Sequence, residues 1–219
     1  MRSILLFATL LLATSVFAQD FEPVNMKKIK EDISDSSAST YYPNLLKRIN
    51  EGDTSLSIYE FRSLYYGWVY QPGYAPYSNQ TSPILKKLFD EKKFEEVLSM
   101  TNSLLAKNPV AIRTYYYKLI SLINLNRMDS AFLIARNYYV SLLQAINSSG
   151  DGKGCKTGFK VITVSDEYEF MYNFMEIQDV ISQALETPCD RINIKASDLF
   201  PYDKIYFDVS EPLNSLNKM

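Results

Sequence analysis

Between Tyr65 and Tyr77 the chain places five Tyr and its only Trp, around the turn residues Gln71-Pro72-Gly73 and Ala75-Pro76. Aromatic rings with polar tips bury much area while losing few rotamers, which is the chemistry of peptide and glycan recognition. Tyr66, Trp68, Tyr70 and Tyr74 are the candidates for stacking on a sugar or small ligand. The competing reading is that these rings plug a helical layer, as amphipathic side chains do over apolar surface. A second candidate set, Arg113, Tyr116 and Asn124, falls with Ile120 on one side of a later helix and suits an extended protein segment.

Other chemistries find little support. The chain has no His, the commonest general base and metal ligand. No base is therefore at hand to activate a Ser, and no local spacing singles out a Ser–Lys or carboxylate pair. Asp53 to Glu60 imitates the back half of a calcium loop, but Ile49 stands where an Asp belongs and Thr54 where the turn needs Gly. Capping of a helix explains Ser57 and Glu60 without metal. Gly150 to Thr157 is glycine-rich, yet Cys155 replaces the second Gly of a phosphate loop, and no strand-loop-helix context surrounds it. No catalytic residue, metal or cofactor is assigned. A carboxylate-based hydrolase ranks third, and would need paired acids facing one cleft.

These residues need a scaffold. Asn25 to Ile33 reads as a short charged helix, and Pro43 suits the first turn of the next, with Leu45, Leu46 and Ile49 inward. Ser57 and Glu60 form a capping-box pattern that starts a further helix. A shift of 34 residues superposes Leu85 on Leu119, Leu88 on Leu122, Phe94 on Met128 and Leu98 on Phe132. That helix–turn–helix period is the one tetratricopeptide repeats show, with turns at Asp90 to Lys93 and Asn124 to Arg127. Two units are few for a free-standing array, and the upstream helices are expected to supply a third pair.

After Ile146 the pattern changes. Residues 147–158 hold four of the chain's seven Gly and read as a joint. Phe159 to Val164, Asp190 to Lys195 and Lys204 to Val209 have the β-branched alternation of strands. Glu167 to Leu185 is ambiguous between helix and strand. The expected fold is α+β: a tetratricopeptide-like array of helical hairpins over 19–146, the joint, then a small, mainly antiparallel β-rich unit over 159–219, packed on the helices.

Met1-Arg2, the apolar run Ile4 to Leu12 and Val16-Phe17-Ala18 read as an export signal cleaved after Ala18. The apolar core is too short to span a bilayer, so no transmembrane anchor is expected after cleavage. Loss of Arg2 takes the net charge from −2 to −3, which argues against nucleic acid as partner. Cys155 and Cys189 are the only cysteines. They read as a disulfide closing Lys156 to Pro188 or as two buried thiols, and an exported context favours the first.

Gly52-Asp53-Thr54 leading to Glu60-Phe61, then Leu64-Tyr65-Tyr66-Gly67, and Ile205-Tyr206-Phe207-Asp208 near the end resemble an uncharacterised family of small exported bacterial proteins, known as a domain of unknown function. The resemblance spans most of the chain after the leader. It implies no activity, and marks Asp53 to Tyr77 as a family hallmark. The expected role is a periplasmic or extracellular, non-catalytic interaction module of the cell envelope, whose partner is a protein segment or envelope component. The alternative is a glycan- or small-ligand-binding protein using the aromatic loop.

Overall fold

The computed structural model describes residues 21–77 and 82–216. The expected export signal and its cleavage after Ala18 lie outside them. Nine α-helices and four strands form among the described residues, in an α+β arrangement. The helices are α1 (Met26–Ser34), α2 (Tyr42–Asn50), α3 (Ile58–Gly67), α4 (Pro83–Asp90), α5 (Phe94–Leu105), α6 (Ile112–Asn124), α7 (Ser130–Asn147), α8 (Val164–Asn173) and α9 (Ser210–Leu216). The strands are β1 (Phe159–Lys160), β2 (Val180–Glu186), β3 (Cys189–Ile194) and β4 (Lys204–Asp208).

Three helical hairpins, α2/α3, α4/α5 and α6/α7, share one turn. After α2, the amides of Glu51, Gly52 and Asp53 donate to the carbonyls of Lys47, Ile49 and Arg48. Glu91, Lys92 and Lys93 repeat this on Lys87, Phe89 and Leu88, and Leu125, Asn126 and Arg127 repeat it on Ser121, Ile123 and Leu122. Each turn pivots on one left-handed residue: Gly52 at φ 78°, Lys92 at 58° and Asn126 at 55°. Such a residue lets the last carbonyls of a helix find donors before the chain reverses. The 34-residue spacing of Lys92 and Asn126 is thus a spacing of turns as well as of apolar side chains. Leu85 and Leu119, superposed by the same shift, are both buried.

The hairpins do not stack in chain order. Helices α4, α5, α6 and α7 pack consecutively, but α3 lies against α7, with α1 and α2 on α3. The upstream pair therefore caps the far end of the array. Ser57 opens α3 with a complete capping box: its hydroxyl accepts from the Glu60 amide, and Glu60 accepts from the Ser57 amide at 2.8 Å. The other Glu60 oxygen takes Arg48 Nη1 at 2.5 Å, so both oxygens serve the α2–α3 corner.

The sheet has the order β1-β4-β3-β2. β4 pairs antiparallel with β3 and parallel with β1, while β2 pairs antiparallel with β3. Alternate residues of β3 and β4 (Ile192, Ile194, Ile205, Phe207) are buried, as a sheet with one covered face requires. Helix α8 is what covers it, with the Phe170 ring 4.7 Å from that of Phe159. Only Phe159 and Lys160 of the strand expected over 159–164 pair, because Val164 already opens α8. A disulfide joins Cys155 to Cys189, with Cα atoms 5.6 Å apart, tying the glycine-rich joint to the start of β3. A Cβ on Gly152 (φ 68°) would sit 2.4 Å from the Phe159 ring, so the joint is packed into the sheet. One continuous core runs from Ile29 to Val209. The helical and β-rich parts are one folding body.

Candidate functional site

The aromatic segment is architecture over most of its length. It begins as α3, continues as a 3₁₀ turn over Trp68–Tyr70, and becomes an irregular loop only at Gln71. Tyr66 is 0% exposed and Trp68 6%, so neither offers a ring face to a sugar. The reason is hydrogen-bond accounting: buried carbonyls need donors, and a Tyr hydroxyl supplies one at the end of a large apolar ring. Tyr66 Oη donates to the Ala145 or Lys160 carbonyl (3.2 and 3.1 Å). Tyr74 Oη donates to Ile162 O at 2.8 Å, and Tyr70 Oη to Met26 O at 2.9 Å. Tyr74 is half-buried, and Tyr70 stands at the surface with Lys30 over its ring. This corrects the expectation for Tyr66 and Trp68, which are sealed in the core, while Tyr70 and Tyr74 keep surface exposure with their hydroxyls tied to backbone.

Arg113 and Tyr116 come together where α6 meets α8. Tyr116, Glu169, Tyr172, Asn173 and Gln178 line a cleft of about 360 Å³ there. Arg113 Nε reaches Glu169 Oε1 at 2.5 Å, and Asn173 Nδ2 donates to Glu169 Oε2 at 3.0 Å. Gln178 Nε2 donates to the Tyr172 carbonyl. The polar groups of this cleft largely satisfy one another. The side of α6 expected to hold an extended ligand is thus covered, at its N-terminal end, by the chain's own α8. Asn124 stands apart at the exposed end of α6, with its Nδ2 on the Ile120 carbonyl.

Sequence reasoning missed a row of buried acids on α8. Tyr65 Oη donates to Asp166 Oδ2 at 2.8 Å and accepts from the Ile162 amide. Burial pushes the Asp166 carboxyl up to about 7, against the pull of the Tyr65 hydroxyl. Glu167 is fully buried, and neither of its oxygens meets a donor among the described residues. Burial, and then the facing Asp190 side chain, push Glu167 up to about 9, which favours its protonated form. Asp190 also accepts from Gln183 Nε2, and Gln183 Oε1 from the Tyr168 hydroxyl. Burial raises Glu169 as well, opposed by Arg113. Of the three acids only Glu169 lines either of the two clefts, and Arg113 neutralises it.

A second cleft, of about 400 Å³, was equally unforeseen. It follows α7 beside the α2–α3 loop and is lined by Thr54, Leu133, Arg136, Asn137, Val140, Ser141 and Gln144. Its side chains recur at helical spacing, Leu133-Asn137-Ser141 and Arg136-Val140-Gln144, which places them along one side of α7. Among the described residues, none of its five polar side chains makes a side-chain hydrogen bond or ion pair. The Asn137 Oδ1 atom is buried all the same. No carboxylate lines the cleft.

Fold and clefts together define a class: an α+β protein of three like-turned helical hairpins closed by a small mixed sheet, with polar clefts on α6 and α7. The chain belongs to the family described as Domain of unknown function (DUF4919), whose model matches residues 27–218. No curated protein and no solved structure matches it. The residues that carried the family resemblance have structural tasks. Gly52 makes the first turn, Glu60 the capping box, Leu64, Tyr65 and Tyr66 the core, and Ile205 and Phe207 the covered face of the sheet.

Proposed function

We propose that this protein is an exported, non-catalytic interaction module of the cell envelope, and that it takes a protein segment along α7. One observation carries the reading: a cleft along α7 whose five polar side chains are all without an internal partner among the described residues. Unpaired donors and acceptors gathered in a concavity suit a ligand that completes them. Export is supported by the signal-like leader and is compatible with the Cys155–Cys189 disulfide. No helix among the described residues is long and apolar enough to cross a membrane. A non-catalytic role is supported by the acids of α8, of which Asp166 and Glu167 are buried away from both clefts.

The test is affinity capture from envelope extracts with the purified protein and its Ser141→Trp variant, which fills the cleft. A partner retained by the first and lost by the second is expected. Identical retained sets would remove the basis for the reading.

A further inference from the structure

Six arginines fall within the described residues, and five hold an oxygen. Arg48 pairs with Asp53 and Glu60, Arg113 with Glu169, Arg127 with Glu95 and Arg191 with Glu186. Arg62 donates to the carbonyls of Ser148 and Glu22 and to the Ser148 hydroxyl. Arg136 alone holds none, and it is the one that lines the α7 cleft. A guanidinium is always charged, and its planar fork matches a carboxylate through two parallel hydrogen bonds. Asn137, the next residue, also lines the cleft, although its Oδ1 atom is itself buried. The requirement at Arg136 is for a carboxylate. Leu133, 60% exposed, and Val140 add apolar surface to the cleft.

We infer that the α7 cleft binds an acidic protein segment, whose carboxylate is held by Arg136. This rests on the interaction reading above and names the chemistry of its ligand. Charge complementarity decides the class. The cleft offers one unpaired cation and no anion, so a basic segment would meet repulsion at Arg136 and leave it unpaired. A volume of about 400 Å³ suits a few residues of an extended chain.

The experiment is selection from a random peptide display library on the purified full protein, with Ser141→Trp as the subtracting control. Selected sequences are then titrated as synthetic peptides. Peptides rich in Asp and Glu are expected. Their affinity should fall at least about tenfold with Arg136→Ala or with Gln for Glu in the peptide, since a charge-assisted hydrogen bond is lost. Arg136→Lys should recover only part, because a point charge replaces the fork. Binding should also weaken as salt rises. Neutral or basic peptides that need an open cleft but ignore Arg136→Ala would overturn the acidic class and leave the interaction reading standing. Selection of no peptide sensitive to Ser141→Trp would overturn both. Unchanged melting of the variants assigns any loss to the cleft.

Discussion

The Tyr65 hydroxyl donates to Asp166 Oδ2 at 2.8 Å, joining the aromatic segment of α3 to the acidic helix α8 across the centre of the molecule. Both groups are buried. Tyr65→Phe would leave Asp166 without that donor and should cost about 1–3 kcal/mol of unfolding free energy. The bond favours the ionised carboxyl. The loss should therefore be larger above pH 7, where Asp166 is charged, than below it. Denaturant unfolding on both sides of that value checks the sign.

Glu167 predicts the opposite of ordinary acid denaturation. Its carboxyl is held up at about 9 in the fold against 4.5 for a free glutamate. Stability from this group is fully present below the unfolded value and is lost as pH rises toward the folded one. The slope is at most about 1.4 kcal/mol per pH unit for one proton. Glu167→Gln should flatten the decline between about pH 5 and 9, since the amide does not titrate. A melting series across that range that is equally steep in both proteins would contradict the account.

The Cys155–Cys189 bridge closes a loop with a sequence separation of 34. Replacing both cysteines by Ser should lower stability by roughly 3–4 kcal/mol on the loop-entropy account. A mass increase on reduction of the unfolded protein reports the bond itself.

The shared turn makes a prediction with internal controls. Lys92 adopts φ 58°, where a side chain costs about 1–2 kcal/mol that glycine avoids. Glycine's added freedom in the unfolded chain offsets about 0.5–1 kcal/mol of this. Lys92→Gly should therefore stabilise by about 0.5–1 kcal/mol. Asn126→Gly should gain less, because Asn tolerates that region. Gly52→Ala should destabilise, as its Cβ would also stand 3.0 Å from Ile134.

Much of the scaffold was legible because it is local. The 34-residue shift found the α4/α5 and α6/α7 hairpins, Ser57 and Glu60 found the start of α3, and β-branched alternation found β3 and β4. The stacking of α3 on α7 was not legible, since nothing in a helix's own pattern says which neighbour its apolar side meets. The segment Asp166-Glu167-Tyr168-Glu169 looks solvent-exposed by composition. Its three acids are buried because Phe170 and Met171 carry α8 onto the sheet and Tyr65, Asp190 and Arg113 face them. Of the candidate site residues, Arg113 and Tyr116 do line or flank a cleft, while Tyr66 and Trp68 were core. Arg136, Asn137, Ser141 and Gln144 left a trace, a polar row at helical spacing on a long helix. Sequence alone reads such a row as a solvated side, and only the α2–α3 loop beside it makes it a cleft.

Backbone amide chemical-shift mapping by NMR, with a selected acidic peptide added, tests the central claim most directly. The predicted result is one cluster of shifted amides at Thr54, Arg136, Asn137, Ser141 and Gln144, with Tyr66 and Trp68 unmoved. A cluster centred instead on Tyr116, Tyr172 and Gln178 would contradict it and place the binding face between α6 and α8.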